Sequence, residues 1–345
     1  MSSLTFKKIR TKLLKTNIDP EAFEDGFFPF ELTWFVTLGC NLRCSYCFVP
    51  DELDRSDINI NPIDLLKFCK NKGIFRINVL GGEPFLKADK LIALANNCEK
   101  YNVVYRSTST NGLIYNKSIN KALVNLRYKH ILQVSLDAAC KETYYEVRGN
   151  TNFKLIVDNI DKFVNDGLHV MLGMTLTKNN NHEIVEFVKL AEKLGVEMVS
   201  FGGMIPLGRG KYKKDYYMNF REKKRCYDEI KNLKTKLDVV LPNDIYGRTC
   251  AAGLGQISVV PNGDIYPCNM LLGFPEAKIG NIVEGKLNKF DNEWFIRFSA
   301  YKVPKKCDLC ELPPICDSAC KALTYSVYKK VQPHKPFCEY DKYKV

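Results

Sequence analysis

The chain has 345 residues, 46% of them hydrophobic, 26% charged and 12% aromatic, enough for two domains or one large domain with an appendage. No apolar run approaches the roughly 18 residues of a membrane span, and Met1 to Lys15 is basic without the apolar stretch and cleavage site of a secretory signal; membrane, collagen and disordered classes are excluded, and the cytoplasm is the expected compartment. The formal charge of +12 points by itself to acidic partners, and fourteen cysteines in a reducing compartment point to metal or redox chemistry rather than disulfides.

After a basic segment over residues 1–30, short apolar runs alternate with longer amphipathic stretches, the rhythm of βα units around a parallel sheet. The strands expected are Thr33–Leu38, Phe75–Leu80, Val103–Ser109, Ile131–Leu136, Val170–Leu176 and Glu197–Phe201. The helices expected between them are Pro62–Lys72, Ala88–Lys100, Lys117–Leu126, Phe153–Asp166 and Glu183–Leu194, the last with Ile184, Val185, Val188 and Ala191 on one face. Six such units make three-quarters of an eight-stranded barrel, so the fold class is α/β, a partial (β/α)₆ TIM-like barrel over residues 31–205. Residues 206–239 are a polar, lysine-rich bridge with a helix from about Asn219. Residues 240–345 form a small cysteine-rich unit, with seven cysteines between Cys250 and Cys338.

Cys40, Cys44 and Cys47 follow the first strand with the spacing C-x3-C-x2-C, at the end of the barrel where such folds keep their chemistry. Three thiolates in so short a loop can hold three irons of a [4Fe–4S] cubane and leave the fourth open. Zinc is the alternative, although zinc motifs more often pair C-x2-C with C-x2-C. The spacing, with Tyr46 before the last cysteine, resembles the radical S-adenosylmethionine (SAM) superfamily. Gly81-Gly82-Glu83-Pro84 at the second strand end resembles that family's GGEP segment. Thr110-Asn111-Gly112 closes the third strand and Ser135-Leu136-Asp137 the fourth, with Arg148 beyond. By that resemblance Gly81, Gly82 and Pro84 border the methionine moiety and Glu83 takes its ammonium group. Asn111, Ser135 and Asp137 are ribose- or carboxylate-contacting positions, Arg148 partners the carboxylate, and Tyr46 lies against adenine.

The later cysteines read C-x12-G-x4-C, then C-x2-C-x5-C-x3-C, then one more, which looks like the SPASM extension of radical SAM enzymes that modify peptides. The resemblance implies two auxiliary [4Fe–4S] clusters: an outer one on Cys307, Cys310, Cys316 and Cys338, and an inner one on Cys250, Cys268 and Cys320, whose last iron is open because residues 251–257 hold no cysteine. Three clusters would bring the charge to about +8. Asn269, after Cys268, stands where sulfatase-maturing relatives have an aspartate base, and an amide cannot take up that proton.

The function implied is reductive cleavage of SAM to a 5′-deoxyadenosyl radical, which takes hydrogen from a substrate. A peptide or protein side chain is expected, giving a crosslink, oxidation or epimerisation. The alternative is a small molecule such as a tetrapyrrole, cofactor precursor or sugar alcohol. An electron donor such as flavodoxin or ferredoxin is an expected partner, and, since about 30 residues are too short for a leader-binding domain, either a separate leader-binding protein supplies leader recognition or the substrate is not a leader peptide. Neither membrane nor nucleic acid is an expected partner. Cys69 and Cys98 read as core fillers. Cys140 falls close enough to the fourth strand end to approach the site, Cys226 sits in the bridge, and Tyr144 and Tyr145 are placed on the pocket side. Pro206 to Gly210 resembles a family loop near the adenosine end.

Overall fold

The structure, a computed structural model, describes residues 29–51, 53, 60–149, 152–241, 250–287, 292–300 and 320–328. Six parallel strands lie side by side in chain order: β1 (Glu31–Phe35), β2 (Arg76–Leu80), β3 (Val104–Thr110), β4 (Ile131–Ser135), β5 (His169–Leu176) and β6 (Met198–Gly203). They are connected through α1 (Pro62–Asn71), α2 (Ala88–Asn97), α3 (Lys117–Val124), α4 (Lys141–Arg148), α5 (Phe153–Asn165) and α6 (Ile184–Lys193). This is the expected partial barrel, with ends within a few residues of those read from the pattern. Helix α4 was not expected, because Lys-Glu-Thr-Tyr-Tyr-Glu-Val-Arg shows no apolar period although Tyr144 and Val147 are fully buried.

Local chemistry fixes where the helices begin. Asn61 accepts a 2.8 Å hydrogen bond from the Ile63 N–H, and Pro62 opens α1 where no N–H is needed. Asn116 and Asn152 cap α3 and α5 in the same way. Along the strands Leu32, Trp34, Ile77, Val79, Leu132, Val134 and Leu172 have no exposed surface and share one core with Leu65, Leu66, Leu91, Ile156 and Phe187 of the helices. The alternate residues, Thr33, Asn78, Ser109, Gln133 and Ser200 among them, are half-exposed and face the lumen.

The sheet does not stop at six strands. β7 (Asp238–Val240) pairs parallel with β6, and helix α7 (Phe220–Lys231) leads into it. On the other edge β8 (Gln256–Val259) pairs parallel with β1, Leu32 opposite Ile257, and is followed by the antiparallel β9 (Asp264–Tyr266), β10 (Gly280–Asn281) and β11 (Lys286–Leu287). One eleven-stranded sheet therefore runs from the cysteine-rich region through the barrel. The reading of residues 240–345 as a unit held by metal omits this link, since a four-residue strand pairing with one more than 200 residues earlier leaves no local pattern. Helices α8 (Glu293–Ala300) and α9 (Lys321–Tyr328) complete the described residues. No described helix is long and apolar enough to cross a membrane.

Candidate iron–sulfur and SAM site

The C-terminal ends of β1 to β6 form one mouth. The loop after β1 carries Cys40, which is exposed, and Cys44 and Cys47, which are half-buried; none is in a disulfide. The Leu42 N–H donates to Cys40 Sγ at 3.4 Å, and the Cys47 N–H to the Cys44 carbonyl at 3.3 Å. A second loop grips the first: Arg209 Nε donates to the Cys44 carbonyl and the Arg209 N–H to the Cys47 carbonyl, each at 2.9 Å. At Gly208, φ is +52° and a Cβ would stand 2.5 Å from the Cys47 carbonyl oxygen, so glycine is required. The Pro206–Gly210 stretch thus holds the cysteine loop, a contact that its sequence did not disclose.

Burial pushes the Cys40 and Cys44 thiols up, with each raised further by the neighbouring thiols and Cys44 held back by Arg148. Cys40 and Cys44, each raised in part by neighbouring thiols, fit a cationic cluster, whose binding must release their protons. Among the described residues no three His, Cys, Asp or Glu side chains converge on a single ion, whereas a cubane spreads its ligands over separate irons.

Gly81 and Gly82 pack backbone against backbone. A Cβ on Gly82 would meet the Gly39 carbonyl oxygen at 2.1 Å, and one on Gly81 the Thr37 carbonyl oxygen at 2.7 Å. The Gly82 N–H donates to Thr37 and the Glu83 N–H to Gly39, both at 2.8 Å, so these glycines tie the second strand end to the cysteine loop. Pro84 opens a short helical turn. Glu83 is fully buried: Oε1 accepts from the Phe85 N–H at 2.9 Å and the Thr110 hydroxyl at 2.7 Å, and Oε2 from the Asn111 N–H at 2.7 Å. Burial raises its pKa against these donors. Asn111 Nδ2 in turn reaches Asn41 Oδ1 at 2.8 Å and Cys40 Sγ at 3.9 Å.

Asp137 adopts a left-handed backbone, φ +62°, just past β4. The turn is held by Asn180 Nδ2 on its carbonyl at 2.8 Å and by the Thr175 N–H on Oδ1 at 2.6 Å. Its Oδ2 accepts from Arg148 Nε at 2.6 Å and from the Tyr46 hydroxyl, and all three residues are buried. Arg148 stays charged despite burial because Asp137 faces it. Tyr46 packs against Val147, Met204 and Tyr216, and burial pushes its hydroxyl well up. Arg148 and Tyr46 therefore meet on Asp137, an arrangement that the spacing did not disclose. Thr175 and Asn180, which aim Asp137, were not singled out from sequence. Ser135 sits half-exposed opposite Gly173 of β5.

The remaining cysteines divide cleanly. Cys69 and Cys98 are core residues as expected, and Cys226 is buried with its Sγ 3.7 Å from Met218 Sδ. The Cys140 thiol donates to Glu183 Oε1 at 3.0 Å, and Tyr144 is core rather than pocket wall. Cys250, Cys268 and Cys320 come together: Cys268 is buried, and burial followed by the neighbouring Cys320 and Cys250 pushes its thiol well up. They fit one metal-cluster face. Cys307, Cys310, Cys316 and Cys338 lie outside the described residues.

Residues 34–191 match the Radical SAM superfamily, and residues 250–313 match the SPASM iron–sulfur cluster-binding domain, together more than half of the chain. The antilisterial bacteriocin subtilosin biosynthesis protein AlbA of Bacillus subtilis is 24% identical over 81% of this chain, which spans 65% of AlbA's length. The mycofactocin maturase MftC of Mycolicibacterium smegmatis is 27% identical over 79% of this chain and 72% of its own. Streptococcus suis SuiB, solved bound to precursor peptide SuiA, has the same fold at 20% identity, with a TM-score of 0.73 over 92% of this chain and 78% of SuiB. The strand-end thiols, the glycine-backed Glu83 turn and these matches agree: the chain carries a radical SAM domain over residues 34–191 and a C-terminal SPASM domain from residue 250.

Proposed function

We propose that this enzyme cleaves SAM reductively and abstracts a hydrogen atom from a peptide or protein side chain, leading to a crosslink, oxidation or epimerisation. The observation that carries the chemistry is the Cys40, Cys44 and Cys47 loop, gripped by Arg209 at the mouth of the barrel beside the buried Asp137–Arg148 pair. When bound, the [4Fe–4S] cluster and SAM supply the electron and the 5′-deoxyadenosyl radical. Cys40, Cys44 and Cys47 hold three irons. Gly81, Gly82, Glu83 and Pro84 shape the wall beside the methionine end, with Asn111, Ser135, Asp137, Arg148 and Tyr46 lining the rest. In this reading Asp137 keeps Arg148 and Tyr46 fixed, so that charge next to Cys44 is set before ligand arrives.

The peptide substrate rests on the relatives: AlbA and MftC are a bacteriocin biosynthesis protein and a maturase, and SuiB was solved with a precursor peptide. Cys250, Cys268 and Cys320 are assigned to an inner auxiliary cluster and Cys307, Cys310, Cys316 and Cys338 to an outer one, in a SPASM domain over residues 240–345 that follows a 31–205 barrel and a 206–239 bridge. A flavodoxin or ferredoxin as electron donor, a separate leader-binding protein and a cytoplasmic location complete the reading. Anaerobically reconstituted enzyme with reductant and SAM is expected to form 5′-deoxyadenosine, faster with a host peptide fraction than with the small-molecule fraction. The Cys40→Ala, Cys44→Ala, Cys47→Ala variant is expected to lose that product while keeping the auxiliary iron. Product from the triple variant would refute the cluster assignment, and stimulation by small molecules alone would refute the peptide.

A further inference from the structure

The lumen face of the barrel repeats one small device. On β2, Asn78 Oδ1 accepts from the Ser107 hydroxyl of β3 at 2.8 Å; on β4, Gln133 Oε1 accepts from the Ser109 hydroxyl of β3 at 3.4 Å. Ser107 and Ser109 are two apart on one strand and so point the same way. Each serine occupies the oxygen of a carboxamide and leaves its NH₂ to the lumen. Gln133 is given room by Gly173 of β5, where a Cβ would stand 2.9 Å from Gln133 Nε2 and 3.5 Å from Ser200 Oγ of β6. Asn78, Gln133 and Ser200 are half-exposed, and neither amide NH₂ nor the Ser200 hydroxyl has a hydrogen-bond partner among the described residues.

Thr33, Asn78, Ser109, Gln133, Met171 and Ser200 line the band these groups occupy with uncharged side chains; Arg76, paired with Glu31 at 3.5 Å, lies toward the other end of the strands, and Arg106 precedes Ser107 at the register shift of β3. A carbonyl oxygen would find two fixed donors. Strands are spaced ~4.8 Å apart, and Gln133 lies opposite Ser109, two residues along β3 from the Ser107 opposite Asn78, so the two positions are ~12 Å apart, the length of three to four residues of extended chain at ~3.3 Å each.

We propose that the Asn78 and Gln133 carboxamides, oriented by Ser107 and Ser109, are a carbonyl-reading site that binds the backbone of an extended peptide segment in the barrel lumen. The inference rests on the peptide reading above and adds the residues that read the substrate. Asn78 and Gln133 make the contact; Ser107, Ser109 and Gly173 position them.

The test uses reconstituted holoenzyme with SAM and reductant, and three probes: N-acetyl-trialanine N-methylamide, glutarate and D-glucitol. The readout is the probe concentration giving half its maximal effect on 5′-deoxyadenosine formation, a quantity independent of the absolute cleavage rate. The capped peptide is expected to act at the lowest concentration. Gln133→Glu and Asn78→Asp, which replace donors by acceptors of the same shape, are expected to raise its half-effect concentration by about tenfold or more. Ser109→Ala is expected to raise it by a smaller factor and Ser109→Thr, which keeps the hydroxyl, to restore it. Gly173→Ala, which displaces the Gln133 amide without changing its chemistry, keeps the test decisive if an acidic variant fails to fold. Peptide half-effect concentrations unchanged in these variants would overturn the site while leaving the peptide reading intact. Glucitol or glutarate acting while the capped peptide does not, up to its solubility limit, would overturn both.

Discussion

Glu83 shows how a residue chosen for one role is first held by another. Its two carboxylate oxygens take the N–H groups of Phe85 and Asn111 and the Thr110 hydroxyl, with no exposed surface. Glu83→Gln turns one acceptor into an NH₂ facing a donor, so the chain without SAM is expected to lose ~2 kcal/mol of stability in denaturant unfolding. Unchanged stability there would leave ligand binding as its sole duty. His130 gives a second prediction. It is buried with Nδ1 on the Tyr105 carbonyl at 3.1 Å, Nε2 without a partner among the described residues, and burial pulls its pKa down to about 4. The unfolded chain takes up this proton near pH 6.5 and the folded chain only near 4, so stability is complete above ~6.5 and falls by ~3 kcal/mol as pH drops to ~4. His130→Phe is expected to flatten that part of the pH–stability profile by about one proton; an unchanged slope would contradict it. The sequence identified Glu83 through its Gly-Gly-Glu-Pro setting. It assigned His130 no functional role, since the four histidines form no spaced set, and could not disclose its burial, which is not a property of the residue itself.

At the scale of elements, most boundaries follow from capping chemistry that is local and therefore legible. Helix α7 begins at Asn219 as the pattern suggested: Asn219 Oδ1 accepts from the Glu222 N–H at 3.0 Å and Glu222 Oε2 from the Asn219 N–H at 2.6 Å. Asn219→Ala is expected to cost ~1 kcal/mol in denaturant unfolding, and Asn219→Ser much less. Equal losses in the two variants would mean that the box contributes nothing. Helix α4 was missed for the complementary reason: its contacts are tertiary, with Tyr144 packed on Phe153 and Arg148 drawn to Asp137. Without the Asp137 pair and the core beneath it, those eight residues carry too little local preference to be called a helix.

For the whole molecule, the decisive feature is that β1 has neighbours on both sides, β2 and β8. The strand that carries the cysteine loop is thus interior to the sheet only because a segment from the cysteine-rich region pairs with it. A chain ending at residue 241 is expected to expose the β1 edge and to elute as aggregate in size-exclusion chromatography; a monodisperse, folded fragment would show the barrel to be independent. The same continuity explains why domain boundaries drawn from cysteine density treat the C-terminal region as more separate than the sheet allows.

The sequence by itself determined the βα order, the three thiols at the first strand end, the glycine turn at the second and the family resemblance, because each is written in spacing or periodicity over a few residues. Only the tertiary structure decided that Arg148 and Tyr46 meet on Asp137, that Arg209 grips the cysteine loop, that Cys250, Cys268 and Cys320 gather, and that β8 closes against β1. Those contacts join residues distant along the chain, and their free energy comes from burial and matched polar groups that exist only once the sheet has brought the segments together.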